Sequence, residues 1–319
     1  MVTFHLPDAR VADVRFAVSP LVETVLSLRV LAAPERFPLQ VPWERQAREH
    51  LADLEADGTL AVLRALLNEH GHTPDALTPA PRALHASMAD ELGWLRATDP
   101  ALLARDVVDV TGRLDPALGR GRAMVRRVAD ALEAYWGACL EPDWPRIRAV
   151  MQADLAHRGH VVARQGMPAA LGGLSPTVHL AADRLEVASR HGIDHTVEVG
   201  ERPLWLLPSL FTTRAAYPGA PDHPPMVMYP ARGQGGMWGG PPPVDADAVT
   251  ALLGAPRARL LRMLAEPAST TVLAARVGVT ASAVNQHLRV MAAAGLLVRQ
   301  RAGRQVLYAR TELGDRLAG

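Results

Sequence analysis

Apolar residues recur at three- and four-residue steps through the first half of the chain, which is the period of an amphipathic helix. Between Pro20 and Pro34 the positions Leu21, Val25 and Leu28 form such a series, and Pro20 suits the first turn of a helix. Further runs with helical spacing lie at 43–54, 60–67, 81–95, 122–139 and 147–163. The pattern predicts at least five helices in a mainly helical part that extends to about residue 170.

Beyond Gly172 the pattern changes to short apolar segments of the length and residue type that favour β-strands. Such segments lie at 177–180, 185–188, 196–199, 203–207 and 226–229, and residues 2–6 could form one more. The expected fold class is therefore α+β, with a helical N-terminal domain that becomes strand-rich after about residue 170.

Residues 231–244 hold five glycines and three prolines, a composition that suits neither a helix nor a central strand. We expect a linker there, although the large apolar side chains of Met237 and Trp238 could attach it to one domain. The expected organisation is an N-terminal domain at 1–230, the linker at 231–244 and a small C-terminal domain at 245–319.

The small C-terminal domain shows four helix signals in close succession. Asp245 is placed to cap a first helix, and Pro256 to begin a second. Ser269 and Thr280 are placed to cap a third and a fourth helix, the fourth running over 281–293. Only a short turn separates the third helix from the fourth.

The fourth helix is amphipathic, and a hairpin signal follows it. Val284, Leu288 and Met291 lie at steps of four and three and would form its buried face. Residues 296–301 and 305–310 then alternate around a glycine-bearing turn, the pattern of a β-hairpin. Two helices, a tight turn, a further helix and a basic hairpin together predict a winged helix-turn-helix, with the wing at 296–310.

Charge separates the same two parts of the chain. From residue 245 onward there are ten arginines against five acidic residues, whereas the preceding part has 24 basic residues against 28 acidic ones. A small basic module on a mildly acidic body is typical of a protein that binds a polyanion. About half of the 319 residues are apolar and a fifth are charged, so the composition is that of a globular protein.

The stretch from Leu273 to Arg310, LAARVGVTASAVNQHLRVMAAAGLLVRQRAGRQVLYAR, resembles the ArsR-type bacterial regulators. The shared pattern is a recognition helix that ends in His-Leu-basic-x-Leu-like order, here His287 to Met291, followed by Gly-Leu and a wing. Asn285 and Gln286 stand where the family usually has Ser-His, so the family's base preference does not transfer. The segments RFA–SPL (15–21) and YPARG (229–233) resemble the N-terminal domains of some actinobacterial regulators with an ArsR-like C-terminus, a likeness that assigns no chemistry.

The resemblance implies double-stranded DNA as the partner, with the fourth helix in the major groove. Asn285 and Gln286 could then pair with adenine, and Arg289 could reach a guanine or a phosphate. Hydroxyls at the start of the helix would contact phosphates, and the wing arginines would lie over flanking phosphates or the minor groove. The expected DNA-binding residues are Thr280, Ser282, Asn285, Gln286, Arg289, Arg299, Arg301 and Arg304.

A regulator of this kind would act as a homodimer on a pseudo-palindromic site, because one such module buries too little surface to be selective alone. We expect the N-terminal domain to supply dimerisation, with residues 245–253 as a second place for the interface. The N-terminal domain could also sense a small-molecule effector, and the resemblance favours a repressor. A pocket for the effector could have Trp94, Tyr135, Trp136 or Trp144 in its wall.

The sequence offers few residues that could bind a metal or carry redox chemistry. Cys139 is the single cysteine, so no disulfide framework or multi-cysteine metal site can form within the chain. The helix at 269–277 lacks the Cys and His ligands of metal-sensing relatives. Gly159 and Gly192 argue against firm helices at the two histidine pairs with chelating spacing, His157 with His160 and His191 with His195. We expect no metal and no cofactor.

Enzymatic motifs are also missing from the sequence: there is no phosphate-binding glycine loop, HExxH or nucleophile elbow. We therefore expect a protein without enzymatic activity. We also expect it to be cytoplasmic, since no secretory signal or membrane span is recognisable. The alternative is that the N-terminal domain is a protein-interaction module, or an enzyme without a familiar motif, and that the winged helix is accessory.

Overall fold

The computed structural model describes residues 1–6, 13–181, 183–188, 195–199, 202–220, 223–238, 245–302 and 305–318. The chain divides into two compact units, unit 1 at Met1–Gly239 and unit 2 at Gly240–Gly319. The expected mixture of helix and strand and the C-terminal helix-turn-helix are confirmed.

Unit 1 contains eight described helices, several of which begin at side-chain caps. Ser19 accepts a hydrogen bond from Val22 N at the start of α1, and Ser87 and Asp90 form a reciprocal capping box at the start of α4. The helices are α1 (Pro20–Ala32), α2 (Val41–Ala56), α3 (Thr59–Arg64), α4 (Met88–Arg96), α5 (Pro100–Thr111), α6 (Gly121–Cys139), α7 (Trp144–Gln165) and α8 (Met167–Gly172).

Two sheets complete unit 1. The strands are β1 (Val2–His5), β2 (Val14–Phe16), β3 (Val178–Ala181), β4 (Arg184–Val187), β5 (His195–Glu198), β6 (Leu204–Ser209) and β7 (Met226–Pro230). One sheet has the order β3-β4-β1-β5, in which only the β1–β5 pair is parallel. The other sheet, β2-β6-β7, is parallel throughout.

The parallel sheet lies between two hydrophobic cores, which explains why every residue of β6 is buried. On one face Trp205 and Leu207 belong to the large core formed by the helices. On the other face Leu204 and Leu206 pack in a second core with residues of the mixed sheet. Both faces of the sheet are therefore shielded from water.

Charged side chains are also buried within unit 1. Asp154 on α7 forms an ion pair with Arg158, with 3.6 Å between Oδ2 and Nε, and accepts a hydrogen bond from the Tyr229 hydroxyl at 2.7 Å. Glu23 on α1 accepts hydrogen bonds from Leu210 N at 2.9 Å and from Ser209 Oγ at 3.2 Å. These carboxylates connect helices to the ends of strands β6 and β7 of the parallel sheet.

Unit 2 has a small core built from three helices and a three-stranded sheet of order β8-β10-β9. Its elements are α9 (Ala246–Leu253), α10 (Ala255–Met263), β8 (Ala268–Ser269), α11 (Thr270–Val277), α12 (Ala281–Ala293), β9 (Leu297–Ala302), β10 (Gln305–Arg310) and α13 (Glu312–Ala318). Gly314 of α13 lies against the Leu296 carbonyl, where a β-carbon would have no room.

The structure departs from the sequence predictions at several places. α4 begins at residue 88 and not at 81, and the helices α5, α8 and α13 and the strand β2 were not predicted. The prediction that Gly159 would interrupt a helix is wrong, because α7 continues through it to Gln165. A single glycine weakens a helix by about 1 kcal/mol, which the packing of buried Ile147 and Met151 can outweigh.

The first part of the expected linker packs within unit 1. Ala231 and Met237 are buried in the large core, and the ring of Trp238 lies 6.2 Å from that of Trp43. The Arg146 guanidinium donates a hydrogen bond to the Met237 carbonyl at 2.6 Å. Residues 239–244 lie outside the described part of the chain, and the linker role of 231–244 stays a prediction.

Candidate nucleic-acid interface

A three-residue turn joins α11 to α12 and fixes where α12 begins. Gly278 ends α11 in the left-handed region with φ +78°, a conformation that favours glycine. The Thr280 side chain then accepts a hydrogen bond from Ala283 N at 3.3 Å and caps α12. The helix-turn-helix therefore follows from two local signals that the sequence displays.

The two faces of α12 differ in exposure as the periodicity predicts. Val284, Leu288 and Met291 are each exposed by 1% or less and pack in the core of unit 2. The other face carries the exposed side chains of Ser282, Asn285, Gln286 and Arg289. A polar helix face anchored on an apolar one can enter a DNA groove without uncovering the core.

The register of the wing places basic side chains beside α12. Arg299 of β9 pairs with Tyr308 of β10, and Arg301 pairs with Val306. Because cross-strand partners share a face of the sheet, Arg299 and Arg301 lie on the same face as Tyr308. Both arginines are exposed, so the wing presents positive charge on this face.

Tyr308 connects this face of the wing to α12. The ring is 3% exposed, and its hydroxyl donates a hydrogen bond to Asn285 Oδ1 at 3.3 Å. The bond orients the Asn285 amide and occupies one lone pair of its oxygen, while the amide nitrogen stays a donor. The sequence gives no signal of this contact, because a tyrosine in a strand does not indicate which residue its hydroxyl will meet.

Two other residues of the interface, His287 and Arg310, have distinct environments. His287 is half-buried, and its Nδ1 is buried without a hydrogen-bond partner among the described residues. Arg310, at the end of the wing, is committed to Asp315 of α13 at 3.0 Å between Nε and Oδ1. The predicted DNA-binding residue Arg304 lies outside the described residues.

The interface is open to an anionic partner. Within the described part of unit 2, neither Arg289 nor Arg299 has a carboxylate partner. Over all described residues, no group of three or more His, Cys, Asp or Glu side chains is arranged to hold a metal ion. The exposed surface of α12 and β9 is therefore a basic and amide-bearing one, whose chemistry matches phosphates and base edges.

Comparison with known proteins agrees with this geometry. A helix-turn-helix domain family matches residues 257–300, which include α11, α12 and the first part of β9. No curated protein and no solved structure matches the chain. In the part of the chain that the structure describes, no helix is both long and apolar enough to cross a membrane. A C-terminal helix-turn-helix domain indicates DNA-binding regulation.

Proposed function

We propose that the protein is a sequence-specific transcriptional regulator of ArsR-like type that acts as a repressor at an operator. The observation that carries the proposal is the division of α12 into a buried apolar face and an exposed face with Asn285, Gln286 and Arg289. Beside it, the wing arginines Arg299 and Arg301 lie on the face of the hairpin that also bears Tyr308. The proposal assigns no catalytic role to the chain.

In this proposal α12 reads bases and the surrounding groups hold the backbone. The Gln286 side chain has no hydrogen bond to another described residue and is available for bidentate pairing with adenine. Asn285 reaches the groove already oriented by Tyr308. The remaining contacts, from Thr280, Ser282, Arg299, Arg301 and Arg304, would go mainly to phosphates and supply salt-dependent affinity.

A homodimer is part of the proposal, since two-fold symmetry would allow two copies of α12 to read two half-sites. Unit 2 offers a surface for this: Leu252 of α9 is 76% exposed and Leu313 of α13 is 43% exposed, and these two helices pack together. Replacement of Leu252 by glutamate should therefore yield monomers in analytical ultracentrifugation, whereas the same change at the exposed Leu84 of unit 1 should not. Monomers in the unmodified protein would contradict the dimer.

The central experiment selects bound fragments from host genomic DNA at low and near-physiological salt, followed by affinity measurements on the selected site. Gln286→Ala should change the preferred sequence, because it removes a base contact worth about 1–3 kcal/mol of discrimination. Arg299→Ala should weaken binding to all sequences and lower the salt slope by about one. Arg148→Ala removes an exposed arginine of unit 1 that forms no ion pair with a described residue, and serves as the matched control.

A symmetric motif that persists at the higher salt would support the regulator. If Gln286→Ala and Arg299→Ala had equal effects on operator and random DNA, the assignment of α12 as the reading helix would fail. A promoter fusion containing the selected site distinguishes the sign of regulation: expression should rise when the protein is absent. A fall in expression would replace the repressor by an activator.

A further inference from the structure

Unit 1 contains a cavity of about 920 Å³, which is near the upper end of the range for small-molecule sites. Its wall comes from α1, the loop at 68–78, α5 and the segment that follows β6. Apolar side chains supply part of the lining: Leu26, Phe37, Val110, Tyr217 and Met228. None of the four aromatic residues expected in an effector pocket lines this cavity, and Tyr135 is instead buried in the helical core, where its hydroxyl lies 2.9 Å from Ser27 Oγ.

Arg29 of α1 lines the cavity, and no described residue neutralises its charge. In the described part of the chain its buried Nε has no hydrogen-bond partner and its guanidinium forms no ion pair. Burial, together with the charge of nearby Arg36, lowers the pKa of Arg29 to about 10. A desolvated guanidinium without an acceptor is unfavourable in a folded protein, so its presence calls for an anion.

Three carboxylates, Asp75, Asp106 and Asp109, line the cavity, and none of them forms an ion pair with Arg29. Asp106 accepts a hydrogen bond from Ala76 N at 3.0 Å and lies 3.3 Å from the Arg105 guanidinium. Asp75 accepts a hydrogen bond from Ala220 N at 2.7 Å, and burial raises its pKa. Asp75 and Asp106 thus hold the backbone of the wall, while the exposed Asp109 forms no ion pair with Arg29.

Arg36 adds a second cation to the lining of the same cavity. It is exposed, and its guanidinium donates a hydrogen bond to the His70 carbonyl at 2.8 Å. No carboxylate of the described residues pairs with it. Arg29 and Arg36 both lack a carboxylate partner among the described residues, and their guanidinium groups match the geometry of a carboxylate or a phosphate.

We propose that unit 1 binds a small organic anion in this cavity, with its carboxylate or phosphate group held by Arg29 and Arg36 and its apolar body packed against Leu26, Phe37 and Tyr217. The binding itself does not depend on DNA recognition by unit 2. Its role as the effector of the regulator rests on the proposed function. The test therefore uses no DNA, so that a failure here is separate from a failure of the regulator proposal.

The test measures binding by isothermal titration calorimetry with benzoate and phenyl phosphate, and with neutral benzamide and phenol as their matched counterparts. At least one anion should bind about tenfold or more tightly than its neutral counterpart, and should raise the Tm of unit 1. All six tryptophans precede residue 239, so their fluorescence follows the unfolding of unit 1 alone. The tighter of the two anions identifies the charged group.

Arg29→Met keeps the aliphatic stem of the side chain and removes the charge, so it should weaken the anion about tenfold or more without lowering the Tm of the free protein. Arg36 is exposed, so Arg36→Met should leave the fold intact, and it should weaken binding of the anion several-fold. Arg148→Met should have no effect. The proposal would be overturned if the anions bound no more tightly than their neutral counterparts. It would also be overturned if both arginine variants bound the anions with the affinity of the original protein.

Discussion

The two units of the chain differ in how many polar and charged side chains they bury. Among the described residues of unit 2, the buried side chains with a polar group are those of Ser269, whose hydroxyl caps α11, and Tyr308. Unit 1 buries carboxylates and an arginine along with several hydroxyls and the amide of Gln40. Its buried polar residues are Ser19, Glu23, Thr24, Ser27, Gln40, Glu44, Thr78, Glu91, Asp106, Asp143, Asp154, Arg158, Ser175, Ser209 and Thr212.

The functional polar groups of unit 2 are therefore on its surface, whereas unit 1 holds many of its polar and charged groups in its interior. Unit 2 needs only an apolar core, because its polar groups face a partner outside. In unit 1 the charged groups bind to one another and to the backbone across the fold, and the cavity at Arg29 lies among them. Stability and pH response should therefore depend on internal charges in unit 1 and on packing and caps in unit 2.

The largest effect is expected from Asp154→Ala, which would leave Arg158 buried without its ion-pair partner and deprive the Tyr229 hydroxyl and Arg232 N of an acceptor. Breaking a buried pair in this way lowers the free energy of unfolding by about 3–5 kcal/mol. Denaturant unfolding followed by tryptophan fluorescence measures the change in unit 1.

The matched control is Glu55→Ala, which breaks a surface pair with Arg64 whose side chains are 52% and 64% exposed. Its loss should stay below about 1 kcal/mol, because exposed ion pairs contribute little. Equal losses for Asp154→Ala and Glu55→Ala would show that the buried cluster around Asp154 does not stabilise unit 1. The stability of unit 1 would then not depend on its internal charges.

The next effect is a pH dependence carried by Glu23. Burial raises the pKa of this carboxyl to about 8, so the folded state favours the neutral form. The stability gained from that form is fully present below the ordinary pKa of about 4.5 and is lost as the pH rises to 8. Between pH 5 and pH 8, unit 1 should therefore lose stability on the order of 2–4 kcal/mol more in the original protein than in Glu23→Gln.

Unfolding titrations of the two proteins at several pH values measure this difference, again by tryptophan fluorescence. Glu35→Gln removes a carboxylate at an exposed position in the same unit and should leave the pH profile unchanged. Parallel pH profiles for Glu23→Gln and the original protein would show that the carboxyl titrates normally in the fold.

The same contrast explains what the sequence could predict. The cap at Thr280, the glycine at 278 and the apolar series in α12 lie within a few residues of one another, so local rules are enough to predict the helix-turn-helix and its exposed face. The bond from Tyr308 to Asn285 and the position of Arg301 on the same face depend on strand register, which the alternation predicts only in part.

In unit 1 the informative contacts join distant parts of the chain. Glu23 meets Leu210, and the cavity brings Arg29 and Arg36 near a segment almost two hundred residues later. A single sequence gives helix and strand periods for these segments and contains no information on which charged side chain will meet which backbone amide. The helices of unit 1 were therefore largely predictable, whereas the buried charges and the cavity were not.

A smaller effect should come from Ser269→Ala in unit 2. The side chain accepts a hydrogen bond from Val272 N at 3.4 Å, and loss of such a cap destabilises a helix by about 1 kcal/mol. Hydrogen exchange of the peptide covering α11 should then speed up about fivefold. Thr271→Ala, an exposed position in the first turn of the same helix, should change exchange much less. A loss as large as that of Asp154→Ala would mean that unit 2 also depends on buried polar contacts.

The smallest effect on stability, and the most direct test of how unit 2 displays its chemistry, is expected from Tyr308→Phe. The variant keeps the buried ring and removes the hydroxyl that holds Asn285, so the free energy of unfolding should fall by about 1 kcal/mol or less. Discrimination at the base pair that Asn285 contacts should nevertheless decrease, because the amide is no longer oriented before binding. In a double-mutant cycle with Asn285→Ala, measured as affinity for the operator and for a site altered at one base pair, the two changes should be strongly non-additive. Additive effects would mean that Tyr308 acts only in the core and that Asn285 reads DNA, if at all, without support from the wing.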